Sequence, residues 1–410
     1  MKKKLFLISY GAGHISMIAQ LYGQFSKDNK VKLTVLALSI AKNLLNRLDI
    51  PHKTLLNYSQ LIMDSDAYRY GKKLADRWHV DSTGITYNES VVYLGASMRD
   101  LVNERGESAA FNLIEKKGRQ IFLPIWTMQQ VIEFEKPDLI LTTNAPRMER
   151  ASTIVGNRKN IPTINLHDDL GFMVRDYILS GDRISVMSNI TKENLIKQGH
   201  DASKIVINGH PAFDVIPNEL KKFNSLQIRK RYSLSENQPC LLLGTSMAGE
   251  RGKIMNITPL VCDAIQKLKI NYQLIIKPHP GEDIDAYKHF ADSHPICPKV
   301  ISEVNIRELL YISELLITFE STIMIESVLM SKPMISVNLS GKPNSLPFIE
   351  WGLGVEVFTL EQLMDAIEHV LNNFEFKKKY NNARLSYFGN SVDGKACSRV
   401  ANLAYSLMKQ

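Results

Sequence analysis

The chain has 410 residues, a formal net charge of +8, and apolar and charged fractions of 44% and 22%, values in the range of globular proteins. One hydrophobic core rarely serves a chain this long, so two domains are expected. No apolar run reaches about 18 residues, which excludes a membrane-spanning helix, and Cys240, Cys262, Cys297 and Cys397 lack the CxxC spacing of a zinc site or the pattern of a disulfide framework. They read as free thiols, and no metal or cofactor is expected.

Met1-Lys2-Lys3-Lys4 and the following LFLIS resemble a signal peptide, but the apolar part is short and runs directly into Tyr10-Gly11-Ala12-Gly13-His14. It is read as the first core strand of a cytoplasmic protein. From there short β-branched runs alternate with amphipathic stretches, the pattern of βαβ units and a parallel sheet. Strands are predicted at 5–9, 32–38, 138–142, 163–166, 184–188 and 204–208, with helices at 15–25, 112–133 and 192–199. Residues 59–106 read as helices and loops beside the site. A linker is expected over 211–225, where Pro217 and a basic stretch break the pattern. A second alternation follows, with strands at 240–243, 272–276, 315–318 and 334–337 and helices at 254–268, 286–292 and 321–330. The expected architecture is α/β: a Rossmann-like domain over 1–215, a second over 216–390, and a helix over 391–410 that can pack back on the first. The basic runs at 2–4, 221–222 with 229–231, and 377–379 read as solvated helix faces, or as attraction to anionic lipid or a phosphate-bearing substrate. Nucleic acid is not expected, because no basic run is interleaved with aromatic residues.

In open parallel sheets ligands sit at the carboxyl ends of strands, so the residues after each strand carry the functional reading. Gly11, Gly13 and His14 follow the first strand; glycines allow close backbone approach and the next helix offers N–H groups to an anion, the alternative being a tight turn. Asp168 and Asp169 follow the strand at 163–166 beside His167 and suit a general base, the alternatives being a helix cap or, with poor spacing, a magnesium site. Lys277, Pro278, His279 and Pro280 follow the strand at 272–276: prolines fix the backbone around an imidazole and an ammonium that can both meet phosphate. Glu320, Ser321 and Thr322 open a helix carrying Glu326; they read as an anion site with a ribose acceptor, or as a routine helix start. Gly244, Thr245 and Ser246, with Arg251 and Lys253 just beyond, suit a diphosphate or an acceptor, or form a solvated loop.

On these residues the chain resembles GT-B enzymes, a resemblance that implies an acceptor-side domain over 1–215 and a nucleotide-sugar-binding domain over 216–390. Lys136–Ile140, Ile161–Thr163, Ile184–Ser188, Asn208–Pro211 and the Glu326 helix with Ser331-Lys332-Pro333 resemble the UDP-N-acetylglucosamine 2-epimerase superfamily, and Asp393–Ala396 resembles surface-carbohydrate and capsule proteins. The epimerases' Arg-Pro-Glu and Ser-Gly-Gly loops are replaced here by Gly11–His14 and Glu320–Thr322. Asp168-Asp169 with Gly171, then His279-Pro280, then Ser321-Thr322 resemble in order the motifs of bacterial sialyltransferases, with Leu170 interrupting the first. That resemblance implies a metal-independent transferase moving a sugar, favoured as a CMP-linked nonulosonic or ulosonic acid, to a capsule or lipopolysaccharide acceptor. It implies Asp168 or Asp169 as base, His279 at the leaving phosphate, Ser321 and Thr322 on that phosphate and Glu326 on the ribose. The partners implied are the nucleotide-sugar donor, a glycan or lipid-linked acceptor, and peripheral contact with the anionic inner membrane. The rival reading is a sugar-nucleotide 2-epimerase.

Overall fold

Six short aliphatic strands, β1 (Lys3–Ser9), β2 (Val31–Ala37), β3 (Leu139–Thr143), β4 (Thr163–Leu166), β5 (Arg183–Val186) and β6 (Ile205–Ile207), form a wholly parallel sheet in the order β2-β1-β3-β4-β5-β6. A computed structural model describes residues 2–11, 13–172, 177–246, 257–279, 281–341, 346–391 and 393–409. This sheet belongs to the first of two compact units, residues 1–215 with 393–410; the second spans 216–392. Alternate residues of β1 serve opposite faces, as the strand period of two requires. Leu5 and Leu7 pack with Met17, Leu21, Val400 and Ala404 on one side, and Phe6 and Ile8 with Tyr58, Met128 and Val131 on the other. Thus helices Gly13–Phe25 and Ala396–Met408 cover one face. The Asp214 carboxylate accepts from the backbone N–H groups of Ala396 (2.9 Å) and Cys397 (2.6 Å), capping the closing helix from far along the chain.

The other face carries a helical layer. Helices Ser65–Trp78 and Tyr87–Arg105 start from real caps, Asp64 on Ala67 and a Thr86–Glu89 capping box. They cross closely because two glycines permit it: a Cβ at Gly71 would lie 2.2 Å from the Val91 carbonyl oxygen, and one at Gly95 2.1 Å from that of Ala67. The single helix expected over 112–133 is instead Glu107–Lys117, a short 3-10 turn Gly118–Ile121, and Ile125–Glu135. Gly118 takes φ +61 and Pro124 stands at the second helix's start, and together they interrupt an otherwise continuous helical pattern.

In the second unit β7 (Cys240–Gly244), β8 (Gln273–Lys277), β9 (Lys299–Val300), β10 (Ser313–Thr318), β11 (Met334–Val337) and β12 (Gly354–Val357) form a parallel sheet ordered β12-β11-β10-β7-β8-β9. The strand order reverses between β7 and β10, so the loops after those strands flank the switch point where such sheets bind ligands. The two edge strands, β9 and β12, lie outside the sequence-based strand set: one is two residues long and the other reads Gly-Val-Glu-Val. The stretch expected as linker contains helices Ile216–Lys222 and, at its end, the start of Ser225–Arg231. None of the described helices is long and apolar enough to cross a membrane.

Candidate functional site

In the first unit three imidazoles gather with the adjacent carboxylates Asp168 and Asp169. The turn after β1 delivers His14, whose Nδ1 lies 3.1 Å from Asp168 Oδ2, with both side chains about a quarter exposed. The pair is close enough for an ion pair, although the ring N–H is not aligned on the carboxylate. Asp168 follows β4, and His210 follows β6, buried, hydrogen-bonded to the Asp168 backbone and stacked on Phe213 at 4.3 Å. Burial pushes the His210 ring down to about 4, against the pull of Asp168, so it is neutral at pH 7. His167 is buried as well, with Nδ1 3.2 Å from the Asp169 carbonyl. The Asp169 carboxylate lies 3.6 Å from the same His167 Nδ1 and accepts from Gly171 N–H at 2.5 Å, which fixes the local turn.

The segment after β3 adds a second acid. Glu149 is wholly buried, accepts from the Tyr10 N–H (2.7 Å) and the Thr143 hydroxyl (2.5 Å), and is pushed by burial up to about 8, with the Asp168 charge acting in the same direction. A carboxyl in that range holds its proton through neutral pH and can exchange it with its surroundings. Asn144, at the end of β3, is buried with neither amide atom bonded among the described residues, and His210 Nδ1 is likewise unpartnered. Arg147 takes φ +68 and ψ −118, a backbone conformation that costs a residue other than glycine about 1–3 kcal/mol. Its guanidinium lies over the Tyr10 ring at 4.6 Å.

The second unit gathers a different kind of group at its switch point. Glu282, buried, accepts from the His279 N–H (2.7 Å), the Tyr287 hydroxyl (3.1 Å) and the Thr245 hydroxyl, while Thr245 Oγ1 accepts from the same His279 N–H at 2.9 Å. The His279 ring is exposed, and its Nδ1 accepts from Gly281 N–H at 3.1 Å, which leaves the proton of the neutral ring on an outward Nε2. Ser246 donates to the Phe319 carbonyl at 2.6 Å, tying the loop after β7 to that after β10. Lys277 bends back onto the Pro278 carbonyl (2.6 Å), and burial lowers its ammonium.

The sequence candidates therefore divide. His14 and Asp168 meet; Asp169 serves the turn. Gly11 is glycine because a Cβ there would lie 2.2 Å from Ile40 Cγ1, whereas Gly13 faces open space. Thr245, Ser246 and His279 come together around Gly244, whose carbonyl accepts from Thr318 (2.6 Å). Glu320 takes φ +51, and the Thr322 hydroxyl makes no capping bond to the helix Ile323–Leu329 that it precedes. On that helix Glu326 is pushed up by burial, one oxygen has no partner among the described residues, and Arg307 lies 3.8 Å from the other. Ala12, Pro280, Arg251 and Lys253 lie outside the described residues. Glu149, Arg147, Asn144 and Glu282 were not among the sequence candidates, yet the first three stand directly after β3, where the strand-end rule points.

Residues 173–406, more than half of the chain, match the family described as CDP-glycerol:poly(glycerophosphate) glycerophosphotransferase. No curated protein matches by sequence. The fold is similar to that of UDP-GlcNAc 2-epimerase from Methanocaldococcus jannaschii, at TM-score 0.63 and 16% identity, covering 98% of this chain and 99% of that one. It is similar also to UDP-GlcNAc 2-epimerase from Neisseria meningitidis bound to UDP-GlcNAc, at 0.62 and 14% over 98% and 100% of the two chains. MurG of Acinetobacter baumannii aligns at 0.56 and 12% over 98% and 99%. At such identities the likeness speaks for the fold, two parallel-sheet α/β domains of the GT-B kind.

Proposed function

The chain belongs to the CDP-glycerol:poly(glycerophosphate) glycerophosphotransferase family, and from that premise we propose that it transfers a group from a cytidine-activated donor to a hydroxyl of a bacterial surface glycan, releasing CMP. Two donors share that leaving group: a CMP-linked nonulosonic or ulosonic acid, which gives up its sugar, and CDP-glycerol, which gives up glycerol phosphate. In both, an acceptor oxygen bonds to the transferred centre, the bond to the CMP oxygen breaks, and the acceptor proton must go to a base.

The observation that carries this reading is the His14–Asp168 pair at the end of a parallel sheet. His14 takes the acceptor proton on Nε2, and Asp168, beside Nδ1, stabilises the imidazolium that forms. Glu149 and neutral His210 are positioning groups behind Asp168. On the second unit, His279 donates from Nε2 to the departing phosphate, Ser321 and Thr322 offer hydroxyls to it, and Glu326 accepts from the ribose. A lipid-linked acceptor would bring the protein to the anionic inner membrane through its basic surface.

The test is CMP release from CMP-N-acetylneuraminic acid and from CDP-glycerol, with and without a surface-glycan acceptor. Acceptor-dependent release from either donor, lost in Asp168→Asn, is the expected result. Consumption of UDP-N-acetylglucosamine without any acceptor, and no CMP release, would replace this reading with the epimerase one.

A further inference from the structure

A cavity of about 320 Å³ in the first unit is lined by Tyr10, Trp78, His79, Tyr93, Arg119 and Arg147 among others, within the size range of small-molecule sites. Arg147 also lines a wider groove of about 800 Å³, together with Arg105, Lys117, Arg150 and Tyr177. Apart from Tyr177 these residues precede 173–406, so the family match does not extend to them.

Basic side chains outnumber acidic ones in both spaces. In the cavity the carboxylate of Glu89 is already paired with Lys42, and His79 is held between Ser90 and Asp81, which leaves Arg119 and Arg147 as the charges to be answered. In the groove four cations stand against Glu104, itself paired with Arg105 at 2.9 Å. Arg147 joins the two spaces. Its Nε has no partner among the described residues, and its backbone is held at a φ that disfavours any side chain. Strain tolerated for a guanidinium whose Nε meets no acceptor among the described residues points to a binding site rather than to the fold. The rings of Tyr10, Tyr93 and Trp78 add apolar faces for the C–H side of a sugar or polyol, with the two tyrosine hydroxyls 2.9 Å apart.

On the transferase reading, we propose that this cavity and groove hold the growing end of an anionic acceptor polymer. Arg147 and Arg119 take the phosphate or carboxylate of the terminal unit, and Arg105, Lys117 and Arg150 take those of preceding units. The cavity begins at Tyr10, whose N–H is bonded to Glu149, and so adjoins the positioning groups behind Asp168.

Calorimetric titration of the full chain with an oligomer of glycerol phosphate, an α2,8-linked sialic acid oligomer and a neutral maltooligosaccharide of equal length tests this, with CMP titrated in parallel. The expected result is binding of at least one anionic oligomer, weakened by salt, with no binding of the neutral one. Which oligomer binds tells phosphate from carboxylate. Arg147→Gly should weaken that binding at least tenfold while melting no lower than wild type, because glycine relieves the backbone at φ +68. Arg150→Gln should weaken it less. Equal affinity of Arg147→Gly and wild type, or of neutral and anionic oligomers, overturns the proposal. No oligomer binding beside normal CMP binding overturns it too and leaves the transferase reading standing; oligomer binding without CMP binding supports the acceptor site and removes the donor reading.

Discussion

The two units present their strand ends in opposite styles. The first packs Asp168, Glu149, His14, His167 and His210 together, with burial shifting Glu149 to about 8 and His210 to about 4 and with several polar atoms left without partners among the described residues. In the second, the loop after β8 is built on a satisfied carboxylate: Glu282 collects the His279 N–H and two hydroxyls, and the His279 ring stands outside that network, while Glu326 keeps one oxygen without a partner among the described residues. The difference follows from the work proposed for each. Moving a proton needs groups whose protonation can change, and burial brings the Glu149 carboxyl into that range while it holds His210 neutral. Holding a nucleotide needs a loop of fixed shape, which prolines and a saturated carboxylate supply.

The contrast can be broken most directly at Asp168. Asp168→Asn should lower acceptor-dependent CMP release by about 10²- to 10⁴-fold, the usual range for a lost acid–base function, while the CMP-induced melting shift stays as in wild type. Next in size is Glu282→Gln, which leaves the His279 loop without its triple acceptor. With CMP at 100 times the wild-type dissociation constant, stabilisation should fall from about 2.7 to roughly 1.4 kcal/mol if affinity drops tenfold. A melting curve checks it, and an unchanged shift would mean that the loop does not need its carboxylate. Gly95→Ala should destabilise the protein by about 1–3 kcal/mol, since the added methyl meets the Ala67 carbonyl. Denaturant unfolding measures it.

The smallest effect is a slope. His210 is neutral when folded, with its value lowered to about 4 from 6.5, so the unfolded chain takes up its proton first and stability is lost as pH falls from 6.5 towards 4. Glu149 acts oppositely: raised to about 8 from 4.5, it keeps its proton when folded, and stability is lost as pH rises from 4.5 towards 8. Each contributes at most about 1.4 kcal/mol per pH unit. His210→Gln should flatten the acid limb alone and Glu149→Gln the neutral limb alone, read from unfolding at several pH values.

The alternation of aliphatic runs and amphipathic helices made the two parallel sheets legible, because strands buried on both faces, such as Leu241–Leu243, read as continuous apolar runs. The edge strands of the second sheet were not legible: two residues at Lys299–Val300 carry no period. His14, Asp168 and His279 were found as strand-end residues. Glu149 was not, since a single Glu inside the helix Met148–Arg158 looks like an ordinary first-turn acid, and only the fold shows that it is fully buried against Tyr10 and Thr143. Arg147 likewise depends on a backbone turn that the sequence Asn-Ala-Pro-Arg does not announce.

The measurement that bears most directly on the division of work is acceptor-dependent CMP release by His14→Ala and His279→Ala as donor concentration is raised. The account predicts that His14→Ala loses kcat by at least 10²-fold with donor KM unchanged, and that His279→Ala raises donor KM at least tenfold. A His14→Ala enzyme that keeps its kcat, or one that loses only donor affinity, would contradict it.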